Sequence, residues 1–301
     1  MNGKGNTLIH WFPGHMTKSL REIESSLSIC DVILYVLDSR APFSCRNPVF
    51  DEMVKDKPKV YVLNKADLVP SVEIAEWKKI FSNEGENVSA VSLDGTSSGS
   101  SKQILPIVER LAKAKIERFK SKGINASLRG MVIGVPNSGK STLINNFARK
   151  QKTMTGNKPG VTRGQQWVRV NEYFELLDTP GTLYPKLSCQ RTAKNLAFIG
   201  SVKDEVVDKE MLSAALIEEL FVIALDALES RYGADFIALK DSYCSDTQQE
   251  PLAQLLLEKI SFNRGFVLKG GVADVEKAAK AVLDDFRKGR LGKVILERAG
   301  K

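Results

Sequence analysis

The stretch Gly134-Val-Pro-Asn-Ser-Gly139-Lys140-Ser141 decides the fold. It follows the apolar segment Met131-Val-Ile-Gly-Val135, which reads as a buried strand, and it opens a helical pattern. A glycine-rich turn between a strand and a helix lets backbone N–H groups approach phosphate oxygens, and the helix dipole favours negative charge there. The pattern predicts a P-loop, in which Lys140 reaches the β- and γ-phosphates of a nucleotide and Ser141 binds Mg²⁺. The nucleotide contacts predicted for this loop are Asn137, Ser138, Gly139, Lys140, Ser141 and Thr142.

Strand and helix patterns alternate on both sides of this loop, which predicts βαβ units and an α/β fold with a mostly parallel sheet. The further predicted strands are 31–38, 59–63 and 88–91, with an antiparallel hairpin from 167–170 and 173–177. The predicted helices of this part are 17–29, 72–81 and 104–120. The strand signal stops near residue 190. We therefore expect a P-loop domain over residues 1–187 and an all-helical domain over residues 188–301.

Two further elements match the phosphate side of a nucleotide site. Asp178-Thr-Pro-Gly181 follows a predicted strand, so Asp178 is the expected carboxylate beside Mg²⁺ and Gly181 the expected sensor of the γ-phosphate. Thr162, in a polar loop between the two motifs, is the candidate switch threonine that binds Mg²⁺ when the γ-phosphate is present. A plain turn after Pro-Gly is the alternative for this loop.

The run Asn64-Lys65-Ala66-Asp67, directly after a predicted strand, predicts the base. The Asp67 carboxylate can accept hydrogen bonds from guanine N1–H and N2–H₂, a donor pair that adenine lacks, and the Lys65 stem can lie over the base. A last guanine-side loop has two candidates. Ser89-Ala90 matches the usual Ser-Ala pair literally, whereas Ser92 and Leu93 match it in position, and we prefer the latter because ligand contacts gather at the carboxyl ends of strands.

The order of these motifs is unusual, because the guanine motif precedes the P-loop. The chain therefore resembles the circularly permuted GTPases. Three segments, Trp11–Met16, Asp38–Pro42 and Arg46–Pro48, are similar to the bacterial ribosome biogenesis GTPase A family, and the basic segment Phe286–Gly292 is similar to the end of that family. The resemblance spans nearly the whole chain. It implies late assembly of the large ribosomal subunit as the process, and it implies that Asn137 helps to bind K⁺ beside the phosphates.

The permutation predicts where the N-terminal segment lies. The cut falls within the switch region, so residues 10–29 take the place of the switch helix and lie beside the γ-phosphate. In many GTPases a glutamine follows the DxxG motif, which is Asp178–Gly181 in this chain, and orients the attacking water. Here Thr182 occupies the position of that glutamine. His15 is the remaining candidate for this catalytic role, because a histidine with an ordinary pKa near 6.5 can position or accept a proton from water. The alternative is a structural role in the turn, which is also our interpretation of His10.

Charge and composition restrict the partners. The net charge is +8, and residues 102–169 contain 15 Lys or Arg against two acidic residues, while residues 259–301 contain 11 against five. Such segregation favours a nucleic-acid partner over a merely solubilising charge. Four cysteines without a CxxC pair exclude a zinc ribbon and predict a reducing compartment, the cytoplasm. No apolar run approaches the roughly 18 residues of a transmembrane helix, so we expect no membrane partner, and we expect a monomer.

These observations predict a Mg²⁺-dependent GTPase, with GTP and GDP as ligands, that acts as a nucleotide switch on the large ribosomal subunit through its rRNA and proteins. The helical domain is the expected RNA-binding part. Two other classes stay open: a nucleotide-gated RNA-binding module in which hydrolysis is incidental, and a signalling GTPase with a protein partner.

Overall fold

The computed structural model describes residues 16–97, 99–123, 127–148, 166–183, 189–233, 235–243 and 251–300. Of these, residues 16–183 and 297–300 form one compact unit, here the sheet unit, and residues 189–296 form a second, here the helical unit. The sequence-based division assigned residues 297–300 to the helical part. They lie in the sheet unit because the Glu297 carboxylate accepts hydrogen bonds from the backbone N–H groups of Phe43 and Ser44 at 2.8 and 3.0 Å.

The sheet unit is built on six strands in the order β3-β2-β1-β4-β6-β5. The strands are β1 (Val32–Asp38), β2 (Lys59–Asn64), β3 (Val88–Leu93), β4 (Leu128–Ile133), β5 (Gln166–Arg169) and β6 (Phe174–Asp178). Strand β5 pairs antiparallel with β6, and all other neighbours are parallel. The predicted α/β class and the predicted hairpin are confirmed. Read from β4 through β6 and on to β1, β2 and β3, the strands follow the order of an ordinary P-loop GTPase domain, so the chain is circularly permuted.

Helices cover both faces of this sheet, as a parallel sheet requires. The helices of the sheet unit are α1 (Met16–Leu27), α2 (Pro48–Met53), α3 (Ser71–Ser82), α4 (Ile104–Leu111), α5 (Lys113–Ser121) and α6 (Lys140–Ala148). On one face, Val32 and Leu34 of β1 share a buried core with Ile104 of α4 and Leu143 of α6. On the other face, the ring of Tyr61 in β2 packs 4.6 Å from the ring of Phe81 in α3.

Most predicted boundaries differ from the structure by one or two residues, and two of the differences have a clear backbone cause. The strand that carries the P-loop ends at Ile133 and not at residue 135, because Gly134 has a φ of 149° and turns the chain out of the sheet. The single helix predicted over 104–120 is two helices, since the backbone leaves helical geometry at Ala112, with φ −95° and ψ 8°. The P-loop therefore starts directly after the last residue of β4, and α4 and α5 are separate helices.

The helical unit contains no strand among its described residues, and a single isolated bridge joins Val267 to Ala273. Its helices are α7 (Gln190–Phe198), α8 (Lys209–Ile223), α9 (Leu225–Tyr232), α10 (Phe236–Tyr243), α11 (Leu252–Asn263) and α12 (Val275–Arg287). Asp208 and Asp274 cap α8 and α12 by accepting backbone N–H groups of the first turn. Within the described part of the chain, every helix is too short or too polar to cross a bilayer.

Candidate functional site

Polar side chains collect where the parallel strands end. Asp38 ends β1, Asn64 ends β2 and Asp178 ends β6. The registers place Asp38 beside Asn64, and Asn64 beside Leu93 of β3. The P-loop leaves β4 at the same edge. Because the sheet order reverses direction between β1 and β4, this edge is a topological switch point, where α/β proteins bind their ligands.

The P-loop is shaped by residues with left-handed backbone conformations. Asn137 has a φ of 59° and Gly139 a φ of 96°. A Cβ atom on Gly139 would lie 2.0 Å from Nδ2 of Asn64, and one on Gly134 would lie 2.3 Å from the carbonyl oxygen of Val36. Glycine at these two positions therefore lets the loop pack against β1 and against the end of β2.

Asn64 joins three segments of the site. Its Nδ2 donates a hydrogen bond of 2.8 Å to the carbonyl oxygen of Ser138 in the P-loop. Its Oδ1 accepts one of 2.8 Å from the backbone N–H of Gly95, just after β3. The side chain is 2% exposed. A buried amide with both ends satisfied holds the P-loop, the guanine motif and the last loop in fixed relation.

Lys65 makes a second link between the guanine motif and the P-loop. Its Nζ donates to the carbonyl oxygen of Asn137 at 2.9 Å and to Oδ2 of Asp38 at 2.7 Å. Asp38 also forms a buried bidentate pair with Arg40, at 2.9 and 2.8 Å. Burial alone would raise the pKa of Asp38, but the cations of Arg40 and Lys65 outweigh it and hold that pKa well below its usual range.

Asp67 lies in a 3₁₀ turn, Ala66–Leu68, directly after this link. Partial burial and the nearby carboxylate of Asp94 raise the pKa of Asp67 above its ordinary value. Asp94 itself accepts hydrogen bonds from the Thr96 N–H and hydroxyl at 2.8 and 2.6 Å. The loop after β3 therefore places the carboxylate of Asp94 close to Asp67 of the guanine motif.

The two candidate pairs for the last guanine-side loop lie at opposite ends of β3. Ser92 and Leu93 are the final residues of β3, opposite Leu63 and Asn64. Ser89 lies near the start of β3, and its hydroxyl accepts a hydrogen bond from Arg110 at 2.6 Å. Only the first pair stands at the edge where the motifs meet.

Lys140 is buried at the start of α6, with an exposed fraction of 6%. Its Nζ donates to the carbonyl oxygens of Gly134 and Val135, at 3.1 and 2.9 Å, and so it curls over its own loop. Burial lowers the pKa of Lys140 to about 8, although the carboxylate of Asp178 acts in the opposite direction. Ser141 and Thr142 follow it in the first turn of α6.

The DxxG segment packs against the P-loop. A Cβ atom on Gly181 would lie 2.7 Å from the Cα of Pro136 and 2.8 Å from Nζ of Lys140. The hydroxyl of Thr179 donates to the carbonyl oxygen of Val132 at 2.6 Å, which fixes the segment to β4. Thr182 is fully buried, and its hydroxyl donates to the carbonyl oxygen of Pro180 at 3.1 Å. The glycine therefore permits a close approach that any side chain would prevent.

The donor set fits a magnesium ion of the P-loop type. The hydroxyl of Ser141 and the carboxylate of Asp178 belong to the two segments that meet here. Among the described residues, no group of three or more His, Cys, Asp or Glu could hold a metal ion. A magnesium ion at this edge would therefore complete its preferred oxygen shell with nucleotide phosphates and water. His15 and Thr162, the other two predicted residues of the phosphate side, lie outside the described residues.

Two contributors to the site escaped the sequence-based prediction of binding residues. The ion pair of Asp38 with Arg40 lies in a segment whose sequence signal is its family resemblance. Glu297 had no local signal at all, because its partners Phe43 and Ser44 lie 254 and 253 residues away in sequence. The indole N–H of Trp77 donates to the Glu297 carbonyl oxygen at 3.0 Å. Glu297 thus holds the loop that follows Asp38 and Arg40.

Comparisons with known proteins agree with this geometry. A family model described as a 50S ribosome-binding GTPase matches residues 129–251. Ribosome biogenesis GTPase A of Bacillus cereus is 37% identical, over 96% of this chain and 94% of its own. Mitochondrial ribosome-associated GTPase 1 of Bos taurus is 34% identical, over 98% and 90%. The crystal structure of GNP-bound YlqF from T. maritima shares the fold, with a TM-score of 0.61 at 23% identity over 94% of this chain and 99% of its own. The chain is therefore a GTPase and belongs to the ribosome biogenesis GTPase A family.

Proposed function

We propose that this GTPase is a nucleotide switch in late maturation of the large ribosomal subunit, on which it binds rRNA and ribosomal proteins. The observation that carries the GTP site is the double link between the guanine motif and the P-loop, from Asn64 to Ser138 and from Lys65 to Asn137. The particle is suggested by the names of the relatives and by the matching family model, which is described as 50S ribosome-binding.

The proposed contacts follow from the placement of each residue. Asp67 reads guanine, and Ser92 with Leu93 borders the base, while the backbone of 137–142 surrounds the phosphates. Lys140 neutralises phosphate charge once it leaves the carbonyl oxygens that it now contacts. Ser141, Asp178 and Thr162 would hold Mg²⁺, which bridges and neutralises phosphate oxygens.

For hydrolysis we propose His15 as the residue that orients the attacking water. The supporting observation is at the glutamine position: Thr182 is fully buried, and its hydroxyl is engaged with a backbone carbonyl oxygen. The segment that contains His15 is the one that the permutation assigns to the place of the switch helix. A histidine there can act as a general base or position the water.

Potassium is the further cofactor that we propose, with Asn137 among its ligands. A monovalent cation beside the phosphates would neutralise charge that develops during hydrolysis. Turnover measured in KCl and in NaCl at equal ionic strength tests this, and equal rates would refute it. Asn137→Ala, which keeps Lys140 and Ser141, is the matched variant and should remove the difference between the salts.

We assign ribosomal RNA binding to residues 188–301 and propose a monomer as the active form. Part of the basic C-terminal segment has a structural role, because Arg287 pairs with Asp204 at 2.9 Å and Arg290 with Asp285 at 2.8 Å. Other basic residues of the helical unit, such as the exposed Lys269 and Lys293, remain available for this binding.

Co-sedimentation with purified large subunits tests the switch. We expect the protein to pellet with the particle in a non-hydrolysable GTP analogue and to remain in the supernatant in GDP. Equal binding in both nucleotides would contradict a switch. A binding constant that does not fall with rising salt would favour a protein partner over RNA. Turnover that is the same with and without subunits would favour a gate in which hydrolysis is incidental.

A further inference from the structure

An apolar cavity of about 520 Å³ opens in the sheet unit at the edge opposite the nucleotide site. It lies beside Leu128 and Phe174, the first residues of β4 and β6, whereas the P-loop follows the last residue of β4. A six-residue strand separates the two places, roughly 17–20 Å at the usual rise per residue. This cavity, here the amino-edge cavity, is therefore independent of the GTP contacts. Its size falls within the roughly 300–1,000 Å³ of small-ligand pockets.

Aromatic rings border the cavity. Phe119 of α5 and Tyr173, in the turn between β5 and β6, line it, and Tyr173 is 64% exposed. Aliphatic side chains of α4 and α5, among them Val108 and Ile116, line it as well. An apolar cavity lined by aromatic rings suits a flat, apolar-faced group that stacks, rather than a phosphate or a flexible chain.

Helix α5, which borders the cavity, is basic. Helix α5 and its C-cap contain Lys113, Lys115, Arg118, Lys120 and Lys122 against a single acid, Glu117, and none of the residues of α5 is fully buried. Lys120 itself lines the cavity. Arg118, Lys120 and Lys122 form no ion pair with any residue that the structure describes. Their charges are directed to solvent along one exposed helix.

A second concave surface adjoins the first and shares Phe119 with it. There Lys115 Nζ lies 5.1 Å from the Phe119 ring, and the Arg129 guanidinium lies 5.3 Å from the ring of Trp167. The acids of this surface are neutralised locally, since Asp31 pairs with Lys115, and Glu175 lies 3.9 Å from Arg129. Glu109 is the acidic residue that lines the amino-edge cavity, and its carboxylate could accept a hydrogen bond from an N–H group of a base, such as N3–H of uracil.

We propose that the amino-edge cavity receives an unstacked base of single-stranded RNA while α5 binds the adjoining phosphates. The proposal rests on the proposed function, because it takes the RNA from a ribosomal particle. RNA fits better than an acidic peptide, since stacking aromatics stand next to cations and the cavity between them is apolar. It gives the sheet unit an RNA contact of its own, separate from the helical unit.

Binding of a short fluorescent oligouridine to the full chain, saturated with GDP, tests the site. We expect Tyr173→Ala to weaken binding about 10-fold, within the range measured for loss of one stacked base, and Tyr173→Phe to preserve it. Lys120→Glu should lower the magnitude of the slope of log K against log salt by about 0.7, the value for one phosphate contact on a single strand. The matched control is Lys79→Glu, an exposed lysine of α3 away from the cavity, and GDP affinity should be unchanged in all four variants.

Photo-cross-linking with 5-iodouridine in the same oligonucleotide locates the contact. Cross-links to peptides that contain Phe119 or Tyr173 support the proposal. Cross-links confined to residues 189–300, or Tyr173→Ala and Lys120→Glu both within about twofold of the parent, would overturn it. Polyglutamate that competes as well as RNA would show that charge alone is recognised and would also overturn it. The two proposals fail separately, because nucleotide-dependent co-sedimentation with subunits tests the switch whether or not Tyr173 matters.

Discussion

Two buried cations at the carboxyl edge of the sheet have opposite environments. Arg40 is 2% exposed and forms a bidentate pair with Asp38, which raises the pKa of Arg40 in spite of its burial. Lys140 is 6% exposed and donates to carbonyl oxygens of its own loop, and burial lowers its pKa to about 8. The protein itself neutralises the cation on the base side of the site. On the phosphate side, we expect the phosphates of the ligand to supply the main counter-charge of Lys140.

This contrast indicates that the protein's own contacts hold the base side of the site in place, whereas the phosphate side depends on the nucleotide. The base side, with Asn64, Lys65 and the pair of Asp38 with Arg40, is held by hydrogen bonds within the protein. The phosphate side combines a buried lysine with two proposed residues, His15 and Thr162, from other segments. We infer that the base side provides specificity from a rigid frame, while the phosphate side is completed by the nucleotide.

The largest effect is expected on folding stability. Arg40→Met should lower the free energy of unfolding of the nucleotide-free protein by about 3–5 kcal/mol, because it leaves the buried Asp38 carboxylate without its main partner. Urea denaturation measures this change. The double variant Asp38→Asn with Arg40→Met should recover part of the loss. If Arg40→Met were as stable as the parent, the base side would not be held by this pair.

Lys140→Met should have the opposite profile. The free energy of unfolding without nucleotide should stay within about 1 kcal/mol of the parent, because a buried ammonium group is replaced by an apolar chain of similar size. GDP affinity should fall about 100-fold or more, since a charge-assisted contact to phosphate is lost. Denaturation and titration calorimetry on one preparation separate the two. A loss of stability as large as that of Arg40→Met would remove the distinction between the two cations.

His15→Ala extends the contrast to hydrolysis. We expect nearly unchanged GTP affinity and a particle-stimulated kcat that is lower by about 10²-fold, the usual cost of losing a general base or a water-positioning group. Single-turnover hydrolysis at saturating particle measures it, with intrinsic turnover as the control. A rate within about threefold of the parent would leave His15 a structural residue, and the catalytic group would have to come from the particle or from potassium.

Asp67→Asn should have the smallest effect of these variants and should act on the base side alone. It should weaken GTP binding by roughly 1–3 kcal/mol, because the amide nitrogen presents a donor to the 2-amino group of guanine, which is itself a donor. Xanthine nucleotide, which offers an acceptor there, should bind more tightly to the variant than to the parent. Competition between GTP and xanthosine triphosphate checks both. Equal affinity of the parent for ATP and GTP would refute the assignment of Asp67.

The fold could be predicted where a short stretch of sequence determines the local secondary structure. Uninterrupted apolar runs such as Val32–Leu37 mark strands buried on both faces, and polar turns delimit them. Boundaries were less predictable. The apolar run around β4 continues into the P-loop, so hydropathy places Val135 in the strand, whereas the conformation of Gly134 ends it. A helix break at Ala112 has no residue signal, since alanine is the best helix former.

The candidate site divides in the same way. Motif residues such as Asn64 and Lys140 are recognisable because the chemistry needs them at short, fixed spacings. The contacts that support them are long-range: Lys65 reaches Asn137 across 72 residues, and Glu297 reaches Ser44 across 253. Nothing in the local sequence of Glu297 identifies its partners. Such contacts depend on tertiary packing and become visible only in the folded structure.

Amide hydrogen exchange with and without GDP is the most direct test of the difference between the two sides of the site: a base side that the protein holds rigid and a phosphate side that the nucleotide completes. We predict that the P-loop amides of residues 137–142 gain protection of more than about tenfold on GDP binding. Amides of residues 63–65 and 93–95 should be protected already in the nucleotide-free protein and change by less than about threefold, because buried hydrogen bonds hold them beforehand. Equal gains of protection on both sides, or unprotected amides around Asn64 without nucleotide, would contradict the claim that the protein alone holds the base side rigid.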